Sequence, residues 1–298
     1  MNNRRQILRV VAAVGTASLV RGQDAAQDGA VFRSGVSQVR VDAEVSDAGG
    51  QILINLKKED FRLFDQGQEE PIVSFNFEEE PLDVILLFDI GGDMRSKVLE
   101  LVRAVELGFH ELRRGDRACV MVFSGVSAEL LPFTSDLGAV NDAILLKVIK
   151  QHFGGASKVA EAADDAALRF RTESSTQRRR AVLIVTEKTA SHQSAEITAV
   201  HDLWKSDAVA SELILGKTSP PMDAVVEKTG GAAIAAGIDP GTGFQESLRR
   251  LRRRYALYYG LPAGVVAGSE RSIRVELTAE AARRFPGARI FARAGYIP

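Results

Sequence analysis

Val84-Ile85-Leu86-Leu87-Phe88-Asp89-Ile90-Gly91-Gly92-Asp93-Met94 is the stretch that decides the fold. An unbroken apolar run over residues 84–88 reads as a strand covered on both faces, as in a parallel sheet. The run ends in Asp89, and two glycines and Asp93 follow at once. The loop after a parallel strand opens on the carboxyl edge of the sheet, where ligands bind. Two readings stay open at that loop. Asp89 and Asp93 form half of a divalent-cation site built from oxygen ligands, or the glycines make a tight turn and Asp93 caps the following helix.

Downstream, strand and helix patterns alternate. Residues 97–112 read as a helix with Val98, Leu101, Val102, Val105 and Phe109 on one face. Gly115-Asp116 turns the chain into a strand over 118–123, with a hairpin partner over 127–132. Helices over 140–149 and 159–171 flank Gly154-Gly155. A buried strand over 181–186 and a helix over 194–205 come next. Short strands over 209–215 and 232–235 surround a helix over 222–228, and a last helix spans 244–254. This order predicts an α/β fold with a doubly wound, mostly parallel sheet.

Upstream and at the far end the texture is β. Val39, Val41 and Val45 share one parity in a strand-like stretch over 36–45. Asp47-Ala48-Gly49-Gly50 and Asp65-Gln66-Gly67 are turn signals, and 62–65 and 72–77 are further strand candidates. After residue 254 the strand-like stretches are 255–261, 272–277 and 289–296, with a polar separator over 279–286. Neither end is large enough to fold securely alone. The expected organisation is a signal peptide (1–22), a linker (23–30), a first β-sandwich part (31–80), the α/β domain (81–254) and a second sandwich part (255–298).

The first thirty residues stand apart from the fold. Asn2-Asn3-Arg4-Arg5 is a short basic head, residues 10–20 are apolar and small, and Val20-Arg21-Gly22 suits a cleavage site. Arg4-Arg5-Gln6-Ile7-Leu8-Arg9 also resembles a twin-arginine signal, so Sec and twin-arginine export both stay open. The mature chain is expected to work outside the cytoplasm, with no transmembrane segment after signal removal. A chain of 298 residues with 45% hydrophobic residues and a formal net charge of −1 gives no reason to expect a nucleic-acid partner. A lone cysteine, Cys119, excludes an intrachain disulfide and a zinc–thiolate cluster.

The α/β segment resembles a von Willebrand factor type A domain. The whole chain is similar to the VWFA-related domain proteins of the acidobacterial type. The resemblance rests on Val45-Ser46-Asp47-Ala48-Gly49-Gly50, Leu56-Lys57-Lys58-Glu59-Asp60-Phe61, Phe64-Asp65-Gln66-Gly67 and Leu86-Leu87-Phe88-Asp89. It continues in Arg114-Gly115-Asp116-Arg117, Pro132-Phe133-Thr134-Ser135-Asp136, Gly154-Gly155, Thr229-Gly230-Gly231, Tyr255-Ala256-Leu257-Tyr258-Tyr259, Ile273-Arg274-Val275 and Ala292-Arg293-Ala294-Gly295-Tyr296.

The resemblance implies a metal-ion-dependent adhesion site with the pattern Asp-x-Ser-x-Ser, a threonine in a second loop and an aspartate after the fourth strand. Here Asp89 stands at the leading acid, while Gly91 and Asp93 replace the serines. Ala156 stands for the threonine, with Ser157 next to it, and Thr186-Glu187-Lys188 stands where Thr-Asp-Gly is usual. Asp89, Asp93 and Glu187, with Ser157, are the candidate metal ligands, for Ca²⁺, Mg²⁺ or Mn²⁺. The competing reading is a dead site in which Lys188 or Arg95 neutralises the acids. His152 and His192 lie near enough in sequence to offer a nitrogen–oxygen site for Zn²⁺ or Ni²⁺ instead.

No Gly-x-Ser-x-Gly elbow, His-Glu-x-x-His helix or P-loop is present. The leading expectation is an exported, non-enzymatic binding or scaffold protein with a degenerate adhesion site and no cofactor. It would recognise an extracytoplasmic protein through the carboxyl edge: Ile90, Gly91, Gly92, Gly154, Gly155, Ala156, Lys188 and His192. The alternatives are a metal-dependent hydrolase using Asp89, Asp93 and Glu187 with His192 as base, and a purely structural envelope module.

Overall fold

In the computed structural model the apolar run at residues 84–88 is the centre of a six-stranded sheet. The structure describes residues 38–92, 94–173, 178–187, 193–216, 223–237 and 239–298. The expected signal peptide and linker, Asp93, Lys188 and His192 lie outside the described residues.

The strands in chain order are β1 (Gln38–Ser46), β2 (Phe61–Asp65), β3 (Gln68–Glu70), β4 (Ser74–Phe77), β5 (Leu82–Asp89), β6 (Arg117–Phe123), β7 (Ser127–Thr134), β8 (Arg179–Thr186), β9 (Ala208–Ile214), β10 (Ala233–Ala235), β11 (Tyr255–Gly260), β12 (Arg271–Leu277), β13 (Arg289–Ala292) and β14 (Gly295–Tyr296). The helices are α1 (Met94–Val102), α2 (Val105–Phe109), α3 (Leu137–Asp142), α4 (Val159–Arg171), α5 (Gln193–Lys205), α6 (Ala224–Thr229), α7 (Pro240–Arg252) and α8 (Ala279–Arg284).

The central sheet has the order β10-β9-β8-β5-β6-β7, parallel except for the antiparallel edge strand β7. Every residue of β5 is buried. Alternate side chains enter opposite layers. Val84, Leu86 and Phe88 pack with Val98, Val105, Phe244 and Leu248, under α1, α2 and α7. Ile85 and Leu87 pack with Ala163, Phe170, Ala199 and Leu203, under α4 and α5. Each of the valine, leucine, isoleucine and phenylalanine side chains contributes roughly 1.5–3 kcal/mol by leaving water.

Two four-stranded antiparallel sheets, β13-β1-β11-β4 and β14-β12-β2-β3, draw strands from both ends of the chain. Val39, Val41, Ala43 and Val45 of β1 enter one core with Leu63, Tyr255, Leu257, Tyr259 and Ile273. The alternate β1 residues, Arg40, Asp42 and Glu44, form a buried ion network with Arg179, Arg250 and Arg254. Arg254 also donates to the carbonyls of Gly230 at 2.6 Å and Phe291 at 2.7 Å. A β strand with one apolar face and one charged face thus joins the sandwich to the α/β domain.

Several expected elements differ in detail. The single helix over 97–112 is two, α1 and α2, broken at Arg103-Ala104. The break brings Gly108 against Phe244 of α7, where an added Cβ would lie 2.4 Å from the ring. Gly241 leaves matching room for Ala104, with a hypothetical Cβ 2.5 Å from the Ala104 methyl. The helix expected over 140–149 starts earlier, as α3, and continues as a π-helical turn over Ala143–Val148. The last helix of the α/β domain starts at Pro240, because Asp239 caps it through the Gly241 N–H. The polar stretch after β12 contains α8, capped by Thr278. The expected strand over 289–296 splits into β13 and β14, one in each sheet of the sandwich. Between them the Arg293 guanidinium pairs with Asp207 at 2.6 Å, which holds the chain where it changes sheet.

Candidate functional site

Asp89 ends β5 at the carboxyl edge and is fully buried. Its Oδ1 accepts from the Gly91 N–H at 2.7 Å and from the Ser157 hydroxyl at 2.8 Å. Its Oδ2 accepts from the Thr186 hydroxyl at 2.7 Å. Three neutral donors, two from separate loops and one from the end of β8, therefore converge on one carboxylate. They supply the hydrogen bonds that a buried carboxylate must find after leaving water.

The loops are joined through their backbones. The Gly154 N–H donates to the Ile90 carbonyl at 2.9 Å, and the Gly92 N–H to the Gly155 carbonyl at 3.0 Å. The Lys158 N–H donates to the Ser124 carbonyl at 3.0 Å, which ties in the turn after β6. Gly155 has φ of 82°, a conformation that favours glycine, and so shapes this second loop.

Gly91 and Ser157 are size-matched. A Cβ placed on Gly91 would lie 2.3 Å from Ser157 Oγ and 3.0 Å from Asp89 Oδ1. The Ser157 hydroxyl therefore stands in the space that a side chain at position 91 would enter. Ile90 and Gly91 are buried, Gly154 is half-buried, and Gly92, Gly155 and Ala156 are exposed on the edge.

Glu187 does not join Asp89 in the hydrogen bonds of this site. It is exposed and forms an ion pair with Lys97 of α1. The competing cation was expected at Lys188 or Arg95. Lys188 lies outside the described residues, and the Arg95 guanidinium lies 5.7 Å from the centre of the Phe153 ring. Lys97 was legible only as a position one helical turn beyond the Asp89 loop. Among the described residues no group of three or more His, Cys, Asp or Glu side chains is placed to hold a metal ion. Asp93 and His192 lie outside the described residues.

Beside the Lys97–Glu187 pair lies a cleft of about 790 Å³, lined by Leu215, Gly216, Ala236, Gly237 and Pro240 as well as Glu100. At the other end of the edge the turn after β6 carries Val126, an aliphatic side chain 81% exposed. Cys119 is buried in β6, and burial, followed by the charge of Glu129, pushes its thiol well above the ordinary range. It is inert packing, not a nucleophile.

Among the described residues no helix is long and apolar enough to cross a membrane. No curated protein matches the sequence. In structure the chain is similar to proximal thread matrix protein 1 from the mussel byssus, at 11% identity and a TM-score of 0.50. That likeness covers 63% of this chain and 51% of the other. It is also similar to an aerotolerance-related membrane protein from Bacteroides fragilis, at 14% identity, a TM-score of 0.47 and coverage of 57% and 98%. A von Willebrand factor type A protein from Catenulispora acidiphila is similar at 12% identity, with a TM-score of 0.49 and coverage of 89% and 75%. At 11% identity the likeness to the byssus protein is one of fold alone. In sequence, residues 84–189 match the family model of the von Willebrand factor type A domain. That segment runs from β5 through the loop after β8, the elements that build the surroundings of Asp89, and over these residues the chain carries a von Willebrand factor type A domain.

Proposed function

We propose that this protein is an exported, non-enzymatic binding protein that recognises an extracytoplasmic protein through the carboxyl edge of its type A domain, without a metal ion. The observation that carries the reading is the set of hydrogen bonds that Asp89 accepts. Both its oxygens are occupied by the Ser157 and Thr186 hydroxyls and the Gly91 amide. A hard divalent cation needs six or so oxygen ligands. The described residues offer glycine at 91, alanine at 156 and a Glu187 carboxylate already paired with Lys97. They do not fit such an ion, and the adhesion site is degenerate.

What replaces the ion is a network of neutral hydrogen bonds that fixes three loops. A rigid edge costs less ordering on association than a mobile one. The exposed features available to a partner are the Val126 side chain, the Gly155-Ala156 turn and the Lys97–Glu187 pair beside its cleft. The apolar start of the chain supports export.

The test is recovery of a partner from envelope extracts on the immobilised protein, in chelator, followed by competition with edge variants. Binding should survive chelator, weaken at least tenfold with Val126→Asp or Lys97→Glu, and persist with Arg62→Glu on the sandwich. Loss of the partner on chelation, or equal binding by all three variants, would overturn the reading.

A further inference from the structure

Glu212 is the oddest residue of the central sheet. It lies in the middle of β9, fully buried, between Ala210 and Ile214 on one face of the strand. Among the described residues neither of its carboxyl oxygens has a hydrogen-bond partner. The face it shares with Ala208 and Ala210 packs against α5 and α6. The charged side chains of those elements are Glu196, His201, Asp202 and Lys205 on α5, and Asp223, Glu227 and Lys228 at α6. His201 pairs with Glu270, and Lys205 with Asp202. Asp223 is the charged group that acts on Glu212. It is itself buried, and it caps α6 by accepting from the Val225 N–H at 2.7 Å.

We infer that Glu212 is a proton-operated latch on α6: protonated, it lies in the core as a neutral group beneath the docked helix, and ionised, it sets a second carboxylate against Asp223 and loosens the helix from β9. The step is a proton exchange with solvent and nothing else. Burial, and then the charge of Asp223, raise the Glu212 carboxyl to about 8. Ionising an isolated carboxyl in a low-dielectric core is costly, so the charged form favours release of the group.

The sign follows from linkage. A group that binds its proton more tightly when closed favours the closed state at low pH. Opening of α6 becomes easier by about tenfold per pH unit as the pH rises from the ordinary glutamate range towards 8. Above that value it levels off, because both states have lost the proton. The consequence reaches the carboxyl edge. The chain leaves α6 through Gly230-Gly231 into β10 and then Ala236 and Gly237, which line the cleft beside Glu187. The latch does not depend on what that edge binds, and its readout requires no partner.

The experiment is hydrogen exchange on the full chain at pH 5.5 and pH 8.0, expressed as protection factors so that the intrinsic pH dependence cancels. Protection of residues 224–229 should fall at least tenfold between the two, while α4 stays within about twofold. Glu212→Gln and Glu212→Met should abolish the difference. An infrared band of a protonated carboxylic acid, present in the wild type at pH 6 and missing in Glu212→Gln, tests the protonation state even if Glu212→Met folds poorly. Equal protection of α6 at the two pH values would overturn the inference. So would the same loss in Glu212→Gln, or no protonated-acid band at pH 6.

Discussion

The hydroxyl of Ser157 lies where the side chain of a residue at Gly91 would be, and it donates to Asp89 at 2.8 Å. The oxygen donor that a serine at 91 would bring has therefore moved to another loop. Converting Gly91→Ser alone does not restore an adhesion site, because two side chains then compete for one space. Overpacking of this kind costs about 1–3 kcal/mol. Urea denaturation should show that loss for Gly91→Ser, with most of it recovered in Gly91→Ser/Ser157→Ala. Restoring metal binding needs that pair together with Asp93→Ser, Ala156→Thr, Glu187→Asp and Lys188→Gly. Mg²⁺ or Mn²⁺ should then raise the melting temperature of the combined variant by linkage. A metal-dependent rise in Gly91→Ser alone would contradict the size match.

Removing the carboxylate strands its donors. Asp89→Ala should cost about 2–4 kcal/mol, since each buried donor left without a partner costs about 1–3 kcal/mol. Thr186→Val removes one bond and should cost about 1–2 kcal/mol. Chelator should leave the melting temperature of the natural protein unchanged. A fall of several degrees on chelation would mean that an ion contributes to the native site.

The sandwich should fail as a unit. Asp65 is buried and accepts from the Tyr259 and Tyr296 hydroxyls, both at 2.9 Å, while its other oxygen pairs with Arg271 at 2.9 Å. Three of these four residues lie in 255–298. A chain ending at residue 254 loses β11, β12, β13 and β14, exposes the apolar face of β1 and should aggregate. Asp65→Ala in the full chain should cost about 3–5 kcal/mol, as expected when one partner of a buried charged cluster is removed. A monomeric, well-folded chain of residues 23–254 by light scattering would argue against the shared core.

Acid should loosen the junction of sandwich and α/β domain. Burial alone would raise the Asp42 carboxyl, but Arg40, Arg179, Arg254 and Arg293 outweigh it and hold it below the ordinary aspartate range. The sign is that of a depressed acid: the stabilisation is present above the unfolded value and is lost as pH falls through the folded one. Thermal melts should decline below about pH 4, and Asp42→Asn should flatten that decline while lowering stability at neutral pH. Arg254→Lys should not rescue Arg254→Ala, because an ammonium cannot reproduce the guanidinium contacts to Gly230 and Phe291.

The proposed export makes a simple demand on the natural protein. Its amino terminus should begin near Gln23, with residues 1 to about 22 removed. Amino-terminal sequencing checks this, and an intact Met1 in the cytoplasm would sink it.

Local pattern alone determined the α/β alternation, the central strand through Phe88 and the inward parity of Val39, Val41 and Val45. These follow from burial periodicity, which is written into consecutive residues. It also showed that the family's metal-ligand residue types are mostly missing, since that is a matter of residue identity at each position. Tertiary structure alone decided what fills their place. Ser157 reaches Asp89 across 68 positions and Thr186 across 97, so no local pattern pairs them. The same holds for Lys97 on Glu187, which are 90 residues apart in the numbering of their ion pair. No local pattern singled out Glu212, because its lack of partners among the described residues depends on what α5 and α6 bring over it. Hydrogen bonds and ion pairs form between groups that folding makes neighbours, and that neighbourhood is a property of the packed layers rather than of any segment of the chain.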